Sequence, residues 1–227
     1  MDQKFEVIVV GSLVVDLPVW LERAPGPGET LIASKGGIFA GGKGFNQAAQ
    51  VSRLGGHPLL IGTVGEDVLG QMMRDMARVE VGDDRGILTL KAASTSYAVP
   101  VISPDGQYIL HVSGTNRLLE PDAVRSLAAH WGDARILMVQ GEISPAATAA
   151  AMDEMLMRGG TVVLDPAPAT DMTADILERA TVLTPNRGEF AQIMGASLSE
   201  QVDLTRGART LFARFPRLQW VVVTLGA

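Results

Sequence analysis

The sequence contains no cysteine. That removes disulfide scaffolds, thiolate zinc sites and cysteine nucleophiles together, and it fits a reducing cytosol, so a cytoplasmic protein is expected. A basic surplus is also missing: 19 Lys and Arg stand against 25 Asp and Glu, a formal charge of −6. A general nucleic-acid binder needs a positive field to neutralise phosphates, so no nucleic-acid partner is expected. No apolar run approaches the roughly 20 residues that span a bilayer. Met1-Asp2-Gln3-Lys4 leads straight into a short apolar strand, without the basic region and longer apolar core of a signal peptide, so no membrane partner is expected either. Internal repeats, low-complexity tracts and long charge runs are lacking too. What remains is a chain of 227 residues, 47% hydrophobic, with Leu, Ile and Val spread along its length. It can form a sizeable core, as one large domain or one domain plus a small accessory element.

Short β-branched runs alternate with helical spacing. The runs are Val7 to Val10, Leu59 to Ile61, Ile136 to Val139, Thr161 to Leu164, Thr181 to Leu183 and Trp220 to Leu225. Continuous apolar strands of this kind are buried on both faces, as in parallel sheets. Helical spacing covers Phe45 to Leu54, Gly70 to Val79, Pro121 to His130, Pro145 to Met157 and Leu204 to Phe215. Gly55-Gly56 and Gly159-Gly160 stand where helices end, and Pro121 and Pro145 suit first turns. The expected fold class is α/β, a doubly wound and mostly parallel sheet. Two stretches break the rhythm and read as strands, Thr30 to Phe39 and Ser96 to Val112, the second with a turn signal at Ser103-Pro104-Asp105-Gly106. They are expected to pair as a small antiparallel β-sheet lid. The acidic pair Asp83-Asp84 reads as a solvated loop rather than a metal site.

In an open α/β sheet, ligands gather beyond the carboxyl ends of the strands. The residues just after the strands are polar: Gly11-Ser12 through Asp16, Gln140-Gly141-Glu142, Asp165-Pro166, Thr184-Pro185-Asn186 with Glu189, and Thr224-Leu225-Gly226-Ala227. Each has a bland alternative. Asp16 closes a turn, Glu142 is a solvated loop acid, and Asn186 with Glu189 has the spacing of a capping box. The most concentrated signal is Gly36 to Gln47. Its Gly37 to Lys43 portion has the Walker A spacing but places Gly44 where a magnesium-binding hydroxyl belongs, and no buried strand leads into it. Glycines around Lys43 at a helix start instead let backbone amides approach a polar ligand, with Asn46 projecting from the first turn; the alternative is a flexible glycine turn.

Gly41-Gly42-Lys43-Gly44-Phe45-Asn46-Gln47-Ala48-Ala49, followed by Leu54-Gly55, resembles the first signature of the ribokinase-like sugar kinases, the PfkB carbohydrate kinase family. Ordered matches run along the whole chain: Pro27-Gly28-Glu29-Thr30, Thr63-Val64-Gly65-Glu66-Asp67, Gly141-Glu142, Asp165-Pro166-Ala167-Pro168-Ala169, Asn186 with Glu189, and Val223-Thr224-Leu225-Gly226. The resemblance implies a ribokinase-like, Rossmann-like sheet over residues 1 to 227 with lid strands inserted at about 12–20, 30–39 and 96–112. It implies ATP-dependent transfer of the γ-phosphoryl group to a hydroxymethyl oxygen of a sugar, nucleoside or sugar-like substrate. Asp16, Gly42, Lys43, Asn46 and Glu142 would bind the substrate, Asn186, Thr224 and Gly226 the nucleotide, and Glu189 the magnesium. ATP and Mg2+ are the implied cofactors, with a monovalent cation such as K+ as an optional further ion, and a homodimer through the lid is the implied assembly.

Two departures qualify this. Val14 stands where ribose-preferring members have asparagine, which puts ribose itself in doubt. The sequence ends at Gly226-Ala227, ahead of the family's second signature, Gly-Ala-Gly-Asp, whose aspartate is the base and whose helix N-terminus forms the anion hole. The expectation is therefore a chain lacking its C-terminal part and its catalytic base, inactive and damaged in fold as written, with the base beyond Ala227. The alternative is a sugar-binding pseudokinase remnant or a non-catalytic α/β binding protein.

Overall fold

The computed structural model describes residues 4–91, 93–196 and 203–226; Met1 to Gln3 and the closing Ala227 lie outside the described residues. The chain enters as β1 (Val7–Val10), crosses into β2 (Val14–Asp16) and β3 (Val19–Trp20), and returns through β4 (Lys35–Gly36) and β5 (Phe39–Gly41) into helix α1 (Lys43–Arg53). β6 (Pro58–Gly65), α2 (Val68–Glu80) and β7 (Ile87–Leu90) follow, then the hairpin β8 (Tyr97–Ser103) and β9 (Gly106–Val112). The rest alternates: α3 (Pro121–Ala128), β10 (Ile136–Gln140), α4 (Pro145–Met157), β11 (Thr161–Asp165), α5 (Ala174–Leu177), β12 (Val182–Leu183), α6 (Arg187–Ile193), α7 (Leu204–Arg214) and β13 (Trp220–Val221).

The main sheet has seven parallel strands in the order β13-β12-β11-β10-β1-β6-β7. Its apolar runs are buried on both faces because side chains alternate along a strand. Ile8, Val10, Leu59, Ile61, Leu137 and Val139 point to one side, among Trp131, Met152 and Phe190. Val9 and Leu60 point to the other, among Phe45, Met73 and Ala77. The strand order reverses at β1, which has β6 on one side and β10 on the other. Loops leaving adjacent strands part there, so the crevice beyond β1 and β10 is where a ligand fits.

β2, β3, β4, β5, β8 and β9 form a separate mixed sheet, ordered β4-β3-β8-β2-β5 with β9 on the far side of β8. The pairing differs from the one expected. Thr30 to Phe39 and Ser96 to Val112 do not pair with each other; β2 and β3 lie between them and run parallel to β8. Within Thr30 to Phe39, regular strand occurs only at Lys35–Gly36 and from Phe39 onward. Gly36-Gly37 ends one strand before the next begins, since a residue without a side chain packs little in a ladder. The β8–β9 hairpin is antiparallel and closes Ser103 onto Gly106, as the turn signal predicts.

A second correction concerns Trp220 to Leu225. Only Trp220–Val221 is regular strand, although Val222 N and Thr224 N still donate to Leu183 O and Pro185 O at 2.8 and 2.9 Å. Among the described residues β13 has β12 alone beside it, and Trp220 and Leu225 are more than half exposed. Asp83 and Asp84 are not the solvated loop expected: they are partly buried and form ion pairs with Arg85 and with Arg74 and Arg78, which tie the loop to α2.

The lid joins the main sheet through buried polar clips. Asn116 accepts from Leu13 N at 3.1 Å and donates Nδ2 to Leu13 O at 3.0 Å, holding the crossing from β1 to β2. Asp67 caps α2 through Gly70 N (2.7 Å) and also accepts from Thr95 N (2.8 Å) and Thr95 Oγ1 (2.7 Å), pinning the entry to β8. Burial opposes its ionisation, but these bonds outweigh it and hold its carboxyl below the usual value. Asp67→Ala is therefore expected to lose about 1–2 kcal/mol in urea denaturation at pH 7. A depressed folded pKa confers stability above the unfolded value of 3.8, so the difference should close as pH falls below 3.8 through the depressed pKa.

Candidate active site

The site is built on a close approach between backbones. Gly42, the N-cap of α1, has φ 89° and offers no capping side chain. A Cβ there would lie 2.8 Å from Ser12 O and Val14 N, and one on Gly44 would lie 2.6 Å from Gly11 C. Only glycine permits this fit, and the glycine-rich turn is accordingly packed backbone to backbone. The first amides of α1 are satisfied from outside the helix: Phe45 N donates to Ser12 O at 3.0 Å, and Lys43 N to Glu142 Oε2 at 3.2 Å. Ser12 Oγ also donates to Glu142 Oε2. Glu142, delivered by the loop after β10, thus places its negative charge at the positive end of α1 and ties β1, β10 and α1 into one corner.

Over that corner lies a cavity of about 250 Å3 lined by Asp16, Gly42, Lys43, Asn46 and Glu142, together with Val14, Ala98, Ile109 and His111. All five residues expected to face the substrate come together there. Asp16, Ala98 and His111 are cross-strand partners in the small sheet and share its cavity face. A second cavity of about 370 Å3 adjoins the first through Lys43, His111 and Glu142 and extends to Ser113, Arg117, Pro168 and Glu189. A larger cavity, about 490 Å3, lies on the outer side of α1 around Phe39, Met72, Met76 and the Arg53–Glu80 pair. Asn46 borders it as well, but the only charged groups of this larger cavity, Arg53 and Glu80, are paired with each other, whereas the charged groups at the strand ends converge on the two smaller cavities, which are therefore the candidate site.

The remaining expected residues divide. Glu189 lines the second cavity, while Asn186, Thr224 and Gly226 line neither of the two. Asn186 and Glu189 form the full capping box of α6: Glu189 N donates to Asn186 Oδ1 at 2.9 Å and Asn186 N to Glu189 Oε2 at 2.8 Å. Thr224 bridges to Asn186 beside it, which carries the exposed Gly226, φ 76°, past the end of β12.

Electrostatics sets these carboxyls apart. Burial first, then the charge of Glu142, pushes Asp16 above its usual value, with His111 opposing. Burial also raises Asp165 at the end of β11, offset by Lys43 and reinforced by Glu189 and Glu142. Lys43 Nζ stands 3.7 Å from Asp165 Oδ2. Lys43 therefore meets two carboxylates, Asp165 through its ammonium and Glu142 through its backbone amide. Asp165, His111 and Arg117 had no role assigned from sequence. Alternation along β9 puts Ile109 and His111 on one face, but which face meets the ligand depends on the pairing of β8 with β2.

The sequence matches the family described as pfkB family carbohydrate kinase over residues 4–227. It is 30% identical to ribokinase of Mus musculus over 223 residues, which are 97% of this chain and 68% of that protein. Ribokinase from Giardia lamblia superposes with a TM-score of 0.87 at 25% identity, covering 99% of this chain and 70% of the other. The Arabidopsis thaliana ribokinase complexed with ribose and ATP superposes at 0.82, also 25% identical, over 99% and 73% of the two chains.

Asp16 ionises at a cost to folding, since its folded pKa lies above the unfolded value of 3.8. Asp16→Asn should raise the melting temperature at pH 7. The gain should shrink as pH falls through the raised pKa and vanish below 3.8, where the native carboxyl is protonated in both states. Thermal melts of both proteins from pH 3 to 8 test this.

Proposed function

Because this chain belongs to the pfkB family of carbohydrate kinases, we propose that it acts in ATP-dependent transfer of the γ-phosphoryl group to a hydroxymethyl oxygen of a sugar or sugar-like substrate. The observation that carries this is the meeting of Asp16, Gly42, Lys43, Asn46 and Glu142 in one cavity that opens into a second one reaching Glu189. Asp16 and Glu142 accept from hydroxyls of the sugar, and Asn46 supplies both a donor and an acceptor. Val14, Ala98 and Ile109 give the ring apolar walls, and Val14 offers no hydrogen bond on its side. That supports a substrate other than ribose itself.

The phosphate end takes shape around Lys43 and Glu189. The nucleotide follows from the relative that binds ATP, with Asn186, Thr224 and Gly226 proposed along its path. Among the described residues no cluster of three or more His, Asp or Glu forms a protein cage for a metal. Mg2+ needs none: it keeps several waters and binds through one or two carboxylates plus substrate phosphates. The carboxylates whose charges raise Asp165 fit such an ion. Glu189 would hold it directly or through water, where the ion neutralises phosphate charge. No residue lining the two cavities is assigned as the base that takes the hydroxyl proton. A cytoplasmic setting and a homodimer through the small sheet belong to the same proposal, the latter supported by exposed Tyr108 and Leu110 on the face of β9 opposite Ile109.

The test is ATP-dependent phosphorylation by the full-length protein over pentoses, hexoses and nucleosides, alongside sugar binding by thermal shift. Turnover with one sugar class is expected, with Asp16→Asn weakening sugar binding by about 100-fold, as for loss of hydrogen bonds to a charged partner. Binding without turnover would favour the non-catalytic reading, and neither binding nor turnover would overturn the proposal.

A further inference from the structure

Arg117 has no part in the reading above, yet it faces the second cavity. It leaves the short helical turn Gly114–Leu118, just beyond the last lid strand. Its Nη1 donates to Ile143 O at 3.1 Å, in the loop that also carries Glu142. Nη2 lies 2.5 Å from Asp171 Oδ2, but that buried oxygen makes no hydrogen bond of acceptable geometry. The pair is held by charge and not by an aligned fork, and its side chains are 39% and 29% exposed. Ion pairs of that exposure contribute little, so the guanidinium is free to exchange Asp171 for a more highly charged partner.

The charge of the second cavity says what that partner is. Lys43 and Arg117 are its two fixed positive charges, against Glu142 and Glu189, and Lys43 already answers to Asp165. A sugar held by Asp16 and Asn46 fills the first cavity, so a phosphoryl group approaching it must pass through the second. Lys43 alone leaves that group in a field dominated by carboxylates. We propose that Arg117 is a further catalytic residue of this kinase: it turns from Asp171 to donate Nη hydrogens to the oxygens of the phosphoryl group in transit. It makes and breaks no covalent bond and moves no proton. Its contribution is the placement of a planar, permanently charged donor where negative charge is spread over the equatorial oxygens. The inference rests on the kinase reading above.

Three variants of the full-length protein test it, with the sugar that wild type phosphorylates. Arg117→Met keeps the side-chain stem and removes the charge. Its kcat should fall by about 100-fold or more, while KM for the sugar and thermal stabilisation by the sugar alone stay within about threefold. The extra stabilisation that wild type gains from sugar plus ADP plus aluminium fluoride, a mimic of the phosphoryl group in flight, should disappear. Arg117→Lys should recover part of both. Asp171→Asn, which breaks the same ion pair and leaves Arg117 in place, should keep kcat within about threefold. Arg117→Met with near wild-type kcat would overturn the inference and leave the kinase reading standing. So would parallel losses of kcat and melting temperature in Arg117→Met and Asp171→Asn, which would make Arg117 a structural clip. A wild type inactive on every sugar overturns both.

Discussion

The structure turns on the contact between the start of α1 and the end of β1. Gly44 packs against the backbone of Gly11, and Gly42 against Ser12 and Val14, at separations that exclude a Cβ. The contact sets the N-terminus of the helix, its first amides taken up by Ser12 and Glu142, in the crevice where the strand order reverses. From there the other parts follow. Ser12 and Lys43 N converge on Glu142, which brings the loop after β10 to the same point, and Lys43 then extends towards Asp165 at the end of β11. Three strand ends and one helix are thus referenced to a single corner, and the lid hangs from it through β2.

The carboxylates of the protein sort into two kinds by what surrounds them. Burial opposes the ionisation of Asp67 and Asp84 too, though they are less buried, and backbone amides, a threonine hydroxyl or arginines bond them, so both are held below the usual carboxylate range. They fix turns. Asp16 and Asp165 are raised by burial and by neighbouring carboxylates. Asp16 lines the first cavity, and Asp165 is tied to both cavities through Lys43, which lines each of them. The raised carboxyls at Asp16 and Asp165 give up stability in the ionised state, unlike the two that fix turns.

Much of the architecture was legible in the sequence because its signals are local. Continuous β-branched runs mark buried parallel strands, and proline and glycine mark where helices begin and end: Pro145–Met157 is a helix over just those residues, and β1 spans Val7–Val10. The density of glycine around Lys43 likewise points to a close backbone approach. Thr30 to Phe39 and Trp220 to Leu225 were less legible. Their apolar residues follow strand-like patterns, but strand pairing is decided by neighbours remote in sequence.

The sequence by itself determined the alternation of elements, the sites where backbone must pass close to backbone, and the identity of the polar residues at each strand end, since all of these depend on residue type and short spacing. Only the tertiary structure decided which of those strand ends meet. Asp16, Asn46 and Glu142 share a cavity that His111 joins unannounced because β8 and β9 pair through β2, Arg117 lines the adjoining cavity from the turn that follows β9, and Asn186 and Thr224 line neither. The turn at Ser103–Gly106 sets the register of β9 on β8 locally, but the cavity that His111 and Ile109 meet is decided by the pairing of β8 with β2, strands some eighty residues apart whose partnership no local pattern encodes.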